Sequence, residues 1–201
     1  MARELRFLIF FTGLVCSKAA LSQGTFVYDQ QLVTNDTSGG EFSAAIQTNQ
    51  PIGQSFTPTL SSVGFVRLFL GDSSRNGIGA NVLVNLRSDS LQGPILASTD
   101  PVFMPDGFSG RADFLFLNEV SVIPGTTYFI QPVVQSGDAW NIFLDINYKY
   151  PGGTAFFSGV ADPSFDLWFR EGIIVPEPAS GSLILLAIGI FVWRKRKWHV
   201  P

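Results

Sequence analysis

The chain has 201 residues and a formal net charge of −3, with 46% hydrophobic and 14% charged residues, which suits one domain with appendages. The charge is unevenly spread: residues 23–175 hold 14 Asp plus Glu against 6 Lys plus Arg, a net of −8. So acidic a body argues against nucleic acid as a partner, because phosphate binding needs surplus Lys and Arg.

Residues 1–22 read as a signal peptide, which sends the chain through the Sec translocon. Arg3 and Arg6 supply a basic start, "LRFLIFFTGLVC" is an apolar stretch of suitable length, and "SKAALSQG" offers small residues at cleavage spacing. The cut falls before Gln23, with Ala19 or Ala20 as close alternatives. The sole cysteine, Cys16, lies inside this segment, so the mature chain has neither disulfide nor thiol chemistry.

Residues 23–174 form the body. Short runs of β-branched and aromatic residues recur there: "TFVYDQQL" (25–32), "GQSFTP" (53–58), "VGFVRLFLG" (63–71), "ANVLVNLRS" (80–88) and "PILAST" (94–99). They continue with "RADFLFL" (111–117), "TYFIQPVVQ" (127–135), "WNIFLDINYK" (140–149), "TAFFSG" (154–159) and "FDLWFRE" (165–171). In "ANVLVNLRS", Val82, Val84 and Leu86 share one face; in "FDLWFRE", Phe165, Leu167 and Phe169 oppose Asp166, Trp168 and Arg170. Period two with a polar face predicts strands of a half-solvated antiparallel sheet.

Segments rich in Gly, Asn, Asp and Pro separate these runs, among them "GDSSRNGIG" (71–79), "PDGFSG" (105–110) and "KYPGGT" (149–154). About ten strands with frequent turns predict an all-β fold, an antiparallel β-sandwich of jelly-roll type, with a closed barrel as the alternative. The stretch "GQSFTPTLSSVGFVRLFLGD" resembles a recurrent opening of jelly-roll sandwiches in bacterial extracellular proteins. That resemblance implies a carbohydrate-binding-like sandwich and identifies no ligand residue.

The last segment, residues 175–201, begins "VPEPA". The apolar run from Ala179 to Trp193 would reach about 22 Å as a helix, against a hydrocarbon thickness of about 30 Å, so it predicts a short, provisional span. Pro176 and Pro178 keep the chain before it extended. Arg194, Lys195, Arg196 and Lys197 form a stop-transfer block that the positive-inside rule keeps cytoplasmic. Proline-flanked glutamate, short apolar run and terminal basic cluster together resemble the PEP-CTERM protein-sorting domain. The resemblance implies recognition of Pro176, Glu177 and Pro178 by exosortase, a membrane-embedded cysteine protease of Gram-negative bacteria. It further implies cleavage near the motif, delivery to the surface or medium, and an association with exopolysaccharide and biofilm matrix.

Within the body, chemistry is sparse. The one histidine, His199, lies beyond the basic block, so Ser-His-Asp and Cys-His mechanisms and the usual zinc sites lack their residues. Asp138, Asp145, Asp162, Asp166 and Glu171 are read as solubilising surface charges, or alternatively as the source of an acid/base pair for glycan cleavage. Asp72 and Asn76 in the 71–81 loop are oxygen donors suited to Ca²⁺, without EF-hand spacing. Trp140 and Trp168, with Tyr148 and Tyr150, are candidates for a sugar-stacking platform. The sequence thus predicts an exported, non-catalytic sandwich with a structural or adhesive role, no obligatory cofactor, and an exosortase-type protease as partner. Polysaccharide binding, with or without Ca²⁺, is the alternative, followed by a carboxylate-based hydrolase or lyase.

Overall fold

The computed structural model describes residues 24–33, 40 and 42–176. The predicted signal peptide, the apolar run after Pro178 and the basic block lie outside the described residues. Fourteen strands are described, and no helix. They are β1 (Thr25–Gln31), β2 (Phe42–Ala45), β3 (Gly53–Phe56), β4 (Ser62–Asp72), β5 (Ala80–Ser88), β6 (Ile95–Ser98) and β7 (Val102–Met104). The remainder are β8 (Ser109–Ser121), β9 (Tyr128–Gly137), β10 (Trp140–Asp145), β11 (Ala155–Phe157), β12 (Val160–Asp162), β13 (Asp166–Leu167) and β14 (Phe169–Val175). Among the described residues no helix is long and apolar enough to cross a membrane.

The strands form two antiparallel sheets of seven. One runs β1-β14-β4-β10-β13, with β8 on β4 and β2 on β10; the other runs β12-β11-β3-β9-β5-β6, with β7 on β5. Period two assigns the inner faces. Val66, Leu68 and Leu70 of β4 point to the core with Val82, Val84 and Leu86 of β5, all fully buried, while Phe65, Arg67 and Phe69 face the other way. Side chains of both sheets thus share one core, the arrangement of a β-sandwich.

Each of the ten predicted runs holds a strand, "RADFLFL" extends to thirteen residues as β8, and "FDLWFRE" is divided at Trp168 into β13 and β14. Three short strands, β2, β7 and β12, have no counterpart in the sequence reading, since three or four residues display too little alternation to be read. "FDLWFRE" departs from expectation. Its polar face was predicted to meet solvent, yet Asp166 to Glu171 are all buried. The reason is position: Asp166 in β13 accepts from Gln54 and from the Tyr150 amide, and Arg170 in β14 lies against the Tyr28 and Trp168 rings, so the polar face is covered by the protein itself.

The outer face of the first sheet carries a ladder of rings and guanidinium groups. Arg67 lies over Phe26 and Tyr28, Arg170 over Tyr28 and Trp168, and Arg111 over Trp168 and Phe69, all within 5.5 Å of the ring centres. Arg67 also binds Asp113 through two parallel hydrogen bonds. Phe69 stacks on Phe143 at 4.3 Å, and a Cβ on Gly71 would strike the Phe143 ring at 2.8 Å.

Candidate functional site

The motif begins where β14 stops. Val175 ends that strand at 43% exposure, and Pro176 follows at once, also exposed. Proline has no N–H to donate to a ladder, which stops the strand there. Glu177 and Pro178 lie outside the described residues, as do Arg194, Lys195, Arg196 and Lys197.

Upstream, β14 is held on both sides. Phe169 to Gly172 pair with Leu68 to Phe65 of β4. On the other edge, the Leu32 amide donates to the Phe169 carbonyl at 3.1 Å, and Gly172 lies against the backbone of Val27 to Asp29. Residue numbers fall along β14 as they rise along β1, so the two strands are antiparallel. The start of β1 and the end of β14 therefore leave the body at the same corner. Any side chain at Gly172 would drive into the Val27 carbonyl.

Between these strands lies a buried polar network. Glu171 is fully buried; its Oε1 accepts a hydrogen bond from the Gln30 amide at 3.1 Å, and its Oε2 has no hydrogen-bond partner. Burial, reinforced by the nearby Asp29 carboxylate, pushes the Glu171 pKa up to about 9. Glu171 is accordingly neutral near pH 7. Burial acts the same way on Asp29, but the Thr59 hydroxyl and the Leu60 and Thr59 amides outweigh it and hold that carboxyl below its ordinary range. Tyr150 closes the network: its hydroxyl donates to Gln30 Oε1 at 2.9 Å and accepts from the Thr57 amide at 3.2 Å. The sequence reading had placed Glu171 among surface charges. Its burial comes from β1, whose Gln30 lies 141 positions earlier, so no local pattern marks it.

Residues 175–197 match the PEP-CTERM protein-sorting motif. The chain carries a PEP-CTERM tail. Such a tail marks an exported exosortase substrate with a membrane-anchored sorting step. A search of curated proteins finds no match for the chain.

In this PEP-CTERM protein the two predicted stacking tryptophans are not surface residues. Trp140 and Trp168 are both fully buried. Trp140 opens β10 with its ring turned inward near Phe108, and its Nε1 has no hydrogen-bond partner. Trp168 has the Arg111 and Arg170 guanidinium groups at 4.7 and 5.0 Å from its ring centre. Their faces are taken by the protein's own side chains, so neither can hold a sugar. Tyr150 is buried as well; Tyr148 is exposed.

The Asp72 loop is tied internally. Asp72 Oδ1 accepts from the Ser74 amide at 2.9 Å, and Oδ2 accepts from the amides of Gly107 and Arg75 at 2.7 and 3.2 Å. Those amides hold its carboxyl below the usual range. Asn76 points its Nδ2 at Asp138 Oδ2, 2.7 Å away, and its Oδ1 accepts from the Ile78 amide. Asp72 and Asn76 are thus brought into one loop cluster with Asp138, with loop amides as the partners of their oxygens. Among the described residues no group of three His, Cys, Asp or Glu has metal-holding geometry.

The remaining carboxylates are spent similarly. Asp145 and Asp166, predicted at the surface, are buried. Asp145 Oδ1 caps the Asn147 and Tyr148 amides, and Asp166 accepts from Gln54 Nε2 at 2.8 Å and the Tyr150 amide at 3.0 Å. A cavity of about 280 Å³ opens between β6 and β8, lined by residues that include Leu96, Phe116, Leu117 and Glu119; Glu119 is its only ionisable group.

Proposed function

We propose that this chain is a non-catalytic, jelly-roll-like β-sandwich that an exosortase sorts from the inner membrane of a Gram-negative bacterium to the cell surface or extracellular polymer matrix. There its work is structural or adhesive. The observation that carries the sorting reading is the PEP-CTERM match at residues 175–197, which starts at the last residue of β14. Interleaving of first and last strands in one sheet, β1 beside β14 beside β4, supports the jelly-roll reading. The engagement of the buried carboxylates in internal hydrogen bonds supports a non-catalytic body. Intact-mass measurement of protein recovered from surface and medium tests the reading. Loss of both ends is expected. Unimpaired surface delivery of a chain lacking residues 179–197 would overturn it.

A second reading, a polysaccharide-binding module, is favoured by one feature. The stacked Phe69 and Phe143 rings are partly exposed on the outer sheet face, with the Arg111 guanidinium over the Phe69 ring, which leaves Phe143 as the aromatic to test. Retention on an immobilised exopolysaccharide that is lost in Phe143→Ala would establish it.

A further inference from the structure

We infer that Asn76–Gly77 and Asp106–Gly107 are latent self-modification sites, and that the carboxylates of Asp72, Asp106 and Asp138 clamp them shut in the folded body. This goes beyond the sorting reading and does not depend on it. The sequence contains two pairs in which Asn or Asp precedes Gly, and the fold brings both into one loop cluster.

In such a pair the glycine nitrogen can attack the preceding side-chain carbonyl carbon, because no Cβ shields it. At Asn76 the bond from Gly77 N to Cγ forms and the Cγ–Nδ2 bond breaks. The Nδ2 group leaves as ammonia and takes the Gly77 amide proton. Water then opens the succinimide ring at either carbonyl, giving aspartate or isoaspartate. At Asp106 the ring closes with loss of water, and water reopens it in the same two ways. Both pairs are exposed, so water reaches them. Replacing either glycine carries strain, since φ is +89° at Gly77 and +73° at Gly107. Contacts are the means left to slow the reaction.

Those contacts fall on the reacting atoms. The Gly77 amide donates to Asp106 Oδ1 at 2.9 Å, and the Gly107 amide donates to Asp72 Oδ2 at 2.7 Å. Each attacking nitrogen is thus tied to a carboxylate other than the group it would attack. A negative charge beside the N–H also opposes loss of its proton. Asn76 is held at both ends of its amide: Nδ2 donates to Asp138 Oδ2 at 2.7 Å, and Oδ1 accepts from the Ile78 amide at 2.9 Å. The Ser74 hydroxyl donates to the same Asp138 oxygen and, with the Ala139 amide, holds that carboxyl below its ordinary range. Conversion of Asn76 would set a second carboxylate against Asp138 where a donor had stood, so the loop would open and stay open.

The test holds the full chain in detergent at neutral pH and follows both pairs by peptide mass mapping with isoaspartate detection. Conversion at Asn76 is expected to be slower by about tenfold or more than in the same chain unfolded in urea, the factor set by one charge-assisted hydrogen bond that must break before attack. Equal rates would overturn the inference. Asp138→Ala is expected to speed conversion at Asn76 about tenfold in the folded chain. Asp72→Ala, which releases the Gly107 amide, is expected to raise isoaspartate at Asp106. Unchanged rates in both variants would overturn the clamp. Asp29→Ala loosens the body at the opposite end of β4 and serves as the comparison for general destabilisation. It is expected to leave Asn76 as slow as in the parent chain, and an acceleration matching that of Asp138→Ala would overturn the role of the contacts.

Discussion

Glu171 Oε1 accepts the Gln30 amide hydrogen at 3.1 Å, joining two residues 141 positions apart in the chain. The bond links the first strand to the last through a carboxyl that burial has made a weak acid. It has a consequence for how the fold responds to pH.

The folded pKa of Glu171, about 9, stands above the model-compound value of 4.5. The folded state therefore binds the extra proton between those values, and stability falls as pH rises through the window. The contribution is fully present below about pH 4.5 and lost by about pH 9. Thermal unfolding measured from pH 5 to 9 is expected to show Tm declining with pH. Glu171→Gln is expected to flatten the decline, because the amide does not ionise. An equal slope in both proteins would contradict the assignment.

Asp29 behaves with the opposite sign. Its folded pKa is lowered, so its contribution is present above the unfolded value and lost as pH falls. Asp29→Ala leaves the Thr59 and Leu60 amides without their acceptor. A cost of about 1 kcal/mol is expected at pH 7, because Thr59 is exposed and its amide can turn to water. Denaturant titration should show that cost shrinking near pH 3.

Trp168→Ala removes the ring on which Arg111 and Arg170 rest, from a fully buried position. The expected loss is about 3–5 kcal/mol in the unfolding free energy, the usual range for an aromatic deleted from a core. A loss below 1 kcal/mol would show that the site is not packed as described.

With both Asp72 oxygens accepting loop amides, added Ca²⁺ has little to gain at this loop. Thermal unfolding in millimolar Ca²⁺ and in excess chelator is expected to give the same Tm within about 1 °C, whereas ligand saturation at 100 times Kd would add about 2.7 kcal/mol. A clear Ca²⁺-dependent rise would restore the loop as a cation site.

Much of the body was legible because alternation in "ANVLVNLRS" and "VGFVRLFLG" comes from residues whose burial follows period two. The tail was legible because its signal is local: a motif, an apolar run and a basic block in sequence. What the sequence hid is non-local. Whether Trp168 shows its ring to solvent depends on Arg111, 57 positions earlier, and Arg170, two later. Whether Glu171 is a surface charge depends on β1 lying alongside β14. No local window along the chain contains Arg111 or β1.

The ring-and-guanidinium ladder also shapes what approaches from afar. Three of the body's six cations, Arg67, Arg111 and Arg170, lie against aromatic faces, and the charge of Arg67 is offset by Asp113. Carboxylates outnumber cations in the body by fourteen to six. Within a Debye length of its surface, about 8 Å at physiological salt, the body presents itself as a polyanion. Sibling copies crowded at one surface repel each other, and raising the ionic strength is the simplest way to let them settle together.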